Sequence, residues 1–131
     1  MLLDTSGLLC YLDGTDTRHQ KAAALFDISP TLFTHSYVLA EFVPLCQVRG
    51  LNRKISLEFV TRLMRNALVE IVWADEKLHR EAMNLLHARM DKTYSLCDAV
   101  SFILMRERGI ADALTTDKHF EQEGFVRLLV P

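Results

Sequence analysis

Four carboxylates stand apart in this chain by their settings. Asp4 closes the short apolar run that begins the sequence, and Asp117 follows the run Ala113, Leu114, Thr115 and Thr116 in the same way. Asp98 falls in the first turn of an apolar segment opened by Ser95, and Glu41 is the only charged residue between Tyr37 and Cys46. Residues 2–8, 38–43 and 96–101 hold no Lys or Arg, and only Asp117 has a cationic neighbour, Lys118. Like charges 4 Å apart repel by about 4 kcal/mol at an effective dielectric near 20, so a cluster of these groups needs positive compensation. Oxygen-only donors suit a hard divalent cation, Mg²⁺ or Mn²⁺, whereas zinc calls for His or Cys at close spacing.

Each acid also has a structural alternative. Ser95-Leu96-Cys97-Asp98 has the form of a capping box, which satisfies two amide donors at a helix start. Asp4 could simply favour the positive end of a helix dipole, and Asp117 could cap a short helix. Glu41, if buried in its apolar helix, could pair with an arginine. The four taken together carry more weight than any one of them.

The elements that must position these groups alternate. Residues 1–3 read as a strand, and Thr5-Ser6-Gly7 supplies cap and turn chemistry for a helix after it. A helix over 17–26, a strand over 31–34 and a helix capped by Ser36 and running to about Val48 follow; Pro44 predicts a kink or an early end there. Residues 55–66 form an amphipathic helix and 69–73 a β-branched strand, and Asp75 caps a helix bearing Leu78, Ala82, Leu85 and Leu86. A helix from Ser95 to Arg108, closed by Gly109, leads to a strand over 113–116, a short helix over 118–123 and a last strand over 125–130. Strands separated by helices predict one α/β domain over residues 1–131, with a mainly parallel sheet of four to five strands covered on both faces. In such sheets ligands bind at the carboxyl edge, where Asp4, Asp98 and Asp117 are expected.

Composition fits a soluble globular domain: 131 residues, 50% hydrophobic, 24% charged, net charge −2. No apolar run approaches the roughly 20 residues that span a bilayer, and no basic residue precedes the opening apolar stretch, so a cytoplasmic protein without a signal peptide is expected. Cys10, Cys46 and Cys97 form no CxxC pair and read as reduced, buried thiols. His79 and His87 are badly spaced for a metal. His119 could touch an anion but more simply packs beside Phe120, and Phe102, Phe120 and Phe125 read as core.

The runs Leu2-Leu3-Asp4-Thr5-Ser6, Val38-Leu39-Ala40-Glu41-Phe42, Ser95-Leu96-Cys97-Asp98-Ala99-Val100-Ser101-Phe102 and Leu114-Thr115-Thr116-Asp117-Lys118-His119-Phe120, with Gly124-Phe125 after them, together resemble the PIN domain, and within it the VapC-type toxin nucleases. The resemblance spans the chain. It implies a Mg²⁺- or Mn²⁺-dependent endoribonuclease, the toxin of a toxin–antitoxin pair, with Asp4, Glu41, Asp98 and Asp117 as catalytic and metal-binding acids. Asp4 and Asp98 are then the first choices as direct ligands, Asp117 acts directly or through water, and Glu41 is a ligand or a water-orienting base. Ser6 and Thr116 are candidate supporting hydroxyls. The resemblance also implies an RNA substrate, an antitoxin partner and a homodimer.

Residues 49–66 carry Arg49, Arg53, Lys54, Arg62 and Arg65 against Glu58 alone, which suits an RNA groove or a solvated helix face. Ile55, Leu57, Phe59, Val60, Leu63 and Met64 exceed the apolar surface that one short helix normally needs, so part of it is expected to meet a partner. Two rivals remain: a PIN-like module that binds RNA or protein without cutting, and an aspartyl-phosphate protein with Asp4 as nucleophile. The second lacks the D-x-D acid, since Ser6 stands there.

Overall fold

A computed structural model describes all residues, 1–131. Five short strands, β1 (Leu2–Leu3), β2 (Leu32–His35), β3 (Val69–Val72), β4 (Asp112–Leu114) and β5 (Val126–Arg127), form one parallel sheet in the order β3-β2-β1-β4-β5. Seven helices connect them: α1 (Thr5–Leu12), α2 (His19–Ile28), α3 (Ser36–Val48), α4 (Arg53–Arg65), α5 (Glu76–Ala88), α6 (Leu96–Arg108) and α7 (His119–Gln122). The central strands β1 and β2 are buried along their whole length, whereas β3, β4 and β5 expose residues such as Glu70, Asp112 and Val126. One core, containing Leu3, Leu8, Phe42, Phe59 and Leu114, lies on one face. The other contains Leu2, Phe33, Phe102, Met105 and Phe120.

Some local expectations need correction. α3 does not end early at Pro44 but runs to Val48 as expected, because Val38, Phe42 and Cys46 are fully buried, while Ala40, whose carbonyl would have bonded the missing proline N–H, is exposed to solvent. Ser36 does not cap α3; it is the first helical residue, and its hydroxyl accepts the Ala74 N–H at 2.9 Å, tying α3 to the exit of β3. The last strand covers only 126–127 of the expected 125–130, since there β5 has β4 on one side alone. Asp75 and Ser95 cap their helices as expected, and Gly109 closes α6 at φ 63°.

One glycine fixes the geometry of the site. A Cβ on Gly7 would lie 1.8 Å from the Leu114 carbonyl oxygen, so only glycine lets α1 rest against the end of β4. All three cysteines are free and buried, and no helix is long and apolar enough to cross a membrane.

Candidate active site

The carboxyl edge of the sheet carries a cleft of about 260 Å³ lined by Asp4, Ser6, Glu41, Thr93, Asp98, Asp117 and His119, among others. No Lys or Arg lines it. β1 and β4 deliver Asp4 and Asp117 from adjacent strand ends, α6 delivers Asp98 from its first turn, and α3 delivers Glu41 from its outer side.

Asp4 is 5% exposed and stands at the N-cap of α1, yet its side chain caps nothing. Instead the Thr115 hydroxyl donates to its Oδ2 at 2.7 Å, and the Ser6 hydroxyl reaches the same atom at 3.3 Å. Backbone N–H groups fix both hydroxyls: Asp117 N donates to Thr115 Oγ1 and Thr116 N donates to Ser6 Oγ, each at 3.0 Å. Each hydroxyl has a lone pair occupied from the turn, which directs its hydrogen toward the carboxylate. Asp4 Oδ1 makes no side-chain hydrogen bond and stays available.

Asp98 does form the capping box, with Ser95 N donating to its Oδ2 and its own N–H bonding Ser95 Oγ, both at 3.0 Å. The cap occupies one oxygen only, so a structural and a chemical role coexist. Asp117 Oδ1 accepts the His119 N–H at 2.9 Å, a local turn bond at the entrance of α7. Glu41 lines the cleft, and the alternative of a buried glutamate paired with an arginine does not hold. It is exposed, with neither a hydrogen bond nor an ion pair, because the core-facing stripe of α3 is Val38, Leu39, Phe42 and Cys46.

Burial pushes the Asp4 carboxyl up to about 7 against the pull of Thr115, and the charges of Asp98 and Asp117 push the same way. Burial also raises Asp98, with Asp117 adding to it. The Cys97 thiol beneath the cleft is driven far upward by burial first, then by Glu41, Asp4 and Asp98, so the fields of these three acids converge. A site built this way holds protons or a cation. One ligand atom from each of Asp98, Asp117 and His119 lies within 4.8 Å of the others, and the donor set is dominated by carboxylate oxygen, as a hard divalent ion requires.

The PIN domain family model matches residues 1–125. The chain belongs to the PIN domain family. It is 33% identical over 129 residues to the 23S rRNA-specific endonuclease VapC20 of Mycobacterium tuberculosis, in the CDC 1551 / Oshkosh and H37Rv strains alike, covering 98% of this chain and 97% of that protein. The crystal structure of Mycobacterium tuberculosis VapC20, a Sarcin-Ricin loop cleaving toxin, matches with a TM-score of 0.87 at 28% identity, over 99% of this chain and 98% of that one.

In this PIN domain the hydroxyls beside Asp4 are those of Thr115 and the expected Ser6, whereas Thr116, the other candidate supporting hydroxyl, contributes its backbone N–H. The signal was present: a threonine two residues before an acid can form a local turn that faces its side chain inward. His119 is packed and hydrogen-bonded as its simpler reading held, but its partners are the site acids: Nδ1 lies 3.1 Å from Asp98 Oδ2 and 3.3 Å from Asp117 Oδ2. Thr93, in the loop before α6, was missed because nothing in its sequence neighbourhood marks it.

Proposed function

We propose that this PIN domain is a divalent-metal-dependent endoribonuclease, the toxin of a toxin–antitoxin pair, with Asp4, Glu41, Asp98 and Asp117 as its catalytic and metal-binding acids. The observation that carries this reading is the cleft in which the buried Asp4 carboxyl stands with Glu41, Asp98 and Asp117 and with no Lys or Arg. When bound, Mg²⁺ or Mn²⁺ supplies charge neutralisation at a scissile phosphate and makes a water more acidic.

The chain's own residues do the rest. Asp4 Oδ1 and Asp98 Oδ1 are buried-side carboxylate oxygens without a side-chain partner, and they would hold the cation. Asp117, half open to solvent, completes the set directly or through water. Glu41 stands unpaired on the cleft wall, where its carboxylate orients the attacking water and accepts its proton. Thr115 and Ser6 keep Asp4 from turning away.

RNA is the substrate, and the 23S rRNA cut by the similar VapC20 is the first to try. An antitoxin and a second copy of the chain are the protein partners proposed. In support, Ile55, Leu57 and Met64 on α4 are 50%, 44% and 46% exposed, and Tyr11, Phe26, Phe59 and Arg62 line an apolar hollow beside that helix. The free thiols suit a reducing cytoplasm. In the test, purified protein is incubated with 23S rRNA in Mg²⁺, in Mn²⁺ and in chelator. Cuts at defined positions that vanish in chelator are expected; tight binding without cleavage in either metal would make it a silent binding module.

A further inference from the structure

Three consecutive residues of the loop between α5 and α6 converge on the acids. Ser95 donates its N–H to Asp98 Oδ2. Tyr94 sets its ring edge against the His119 ring, with centroids 5.3 Å apart at 67°. Thr93 places its hydroxyl 3.0 Å from His119 Nε2. The loop is pinned because the Tyr94 hydroxyl donates to Glu123, whose side chain is 4% exposed and held by Arg89 at 2.9 Å and by Arg106.

The hydrogen on the His119 ring follows from its neighbours. Nδ1 faces Oδ2 of both Asp98 and Asp117, and an ionised carboxylate only accepts, so Nδ1 carries the proton. In the neutral ring Nε2 then has a lone pair, and the Thr93 hydroxyl can donate to it. A hydrogen bond at one ring nitrogen sets what the other nitrogen does.

We propose that Thr93 and His119 are positioning residues of the cleft: the Thr93 hydroxyl holds the His119 ring as its Nδ1–H form, and that N–H donates to Oδ2 of Asp98, with Oδ2 of Asp117 standing 3.3 Å from the same nitrogen. The bond fixes the orientation of the Asp98 carboxylate on α6, and the ring sets its distance from the Asp117 carboxylate before α7, before a cation arrives. It rests on the reading of Asp98 and Asp117 as cation ligands. His119 itself is then not a ligand, because its cleft-facing nitrogen bears hydrogen.

The test reads the ring nitrogens of His119 by long-range ¹H–¹⁵N NMR in the intact protein, at a pH well above the ordinary histidine range. The Nδ1–H pattern is expected without metal, is expected to survive saturation with Mg²⁺, and is expected to blur into exchange between tautomers in Thr93→Val. Thr93 is exposed, so this variant should fold. Mg²⁺ affinity, measured by calorimetry, should fall about tenfold in Thr93→Val and recover in Thr93→Ser, while kcat falls and KM for RNA holds. An Nε2–H ring in the parent, loss of the Nδ1–H signal on adding Mg²⁺, or unchanged Mg²⁺ affinity in Thr93→Val would overturn the proposal. None of these readouts except kcat and KM depends on RNA cleavage, so a failure of the nuclease reading would be seen separately.

Discussion

The Thr115 hydroxyl, at the end of β4, lies 2.7 Å from Asp4 Oδ2, at the end of β1, and so joins two residues 111 positions apart in the chain. Both are buried, at 0% and 5% exposure, and Thr115 Oγ1 also accepts the Asp117 N–H. Replacing the hydroxyl by a methyl in Thr115→Val leaves a carboxylate and an amide short of a partner. A loss of about 1–3 kcal/mol in urea denaturation is expected, together with a fall in Mg²⁺ affinity of roughly tenfold to a hundredfold. Thr115→Ser should restore most of both; equal stability and affinity in Thr115→Val would remove Thr115 from the site.

The contribution of Asp4 to the stability of the metal-free protein should depend on pH with an unusual sign. The folded Asp4 carboxyl stands at about 7 against 3.8 for its ordinary value. Between these pH values the folded state binds more protons than the unfolded one, so stability falls as pH rises through that window and levels off above it. The fall is at most roughly 4 kcal/mol. Thermal melts from pH 4 to 8 in chelator should show it as the difference between the parent and Asp4→Asn, because His35, lowered to about 4 by burial, adds a slope of the opposite sign to both proteins below pH 6.5. The same pH dependence in the parent and in Asp4→Asn would contradict the burial of an Asp4 carboxyl without a cationic partner.

Glu41→Gln separates chemistry from folding. The side chain is exposed and unpaired, so stability should stay within about 0.5 kcal/mol of the parent. Turnover should nevertheless drop by roughly two orders of magnitude or more, with RNA affinity measured in Ca²⁺ nearly unchanged. Parent-like turnover would take Glu41 out of the catalytic set.

Much of this was legible in the chain itself. The strand and helix alternation, the capping box at Ser95 and Asp98, and the convergence of Asp4, Asp98 and Asp117 on one edge all follow from local rules that the fold obeys. What could not be read were contacts set by tertiary approach. Pro44 was carried through its helix by the burial of Phe42 and Cys46. That Glu41 stands exposed at the cleft rather than buried against an arginine depends on where α3 docks. Thr93 meets His119 only because a loop folds over α7, a contact across 26 positions.

Gly7 tests the scaffold that holds Asp4 against Thr115. In Gly7→Ala the new methyl meets a backbone carbonyl at 1.8 Å, which no rotamer change relieves. The variant should lose several kcal/mol or fail to fold, read as a depressed midpoint in thermal denaturation. A parent-like midpoint would mean that α1 does not rest on β4 in solution.

The most direct measurement is the single-turnover cleavage rate of a 23S rRNA fragment in saturating Mg²⁺ by the parent and by Asp98→Asn, both first verified as folded by circular dichroism. The asparagine keeps the shape of the capping box but removes the charge from the cleft. A fall of at least about a thousandfold is expected, with cuts by the parent at defined positions. Cleavage by Asp98→Asn at the parent rate, or no cleavage by the parent in either Mg²⁺ or Mn²⁺, would contradict a metal-dependent ribonuclease built on these acids.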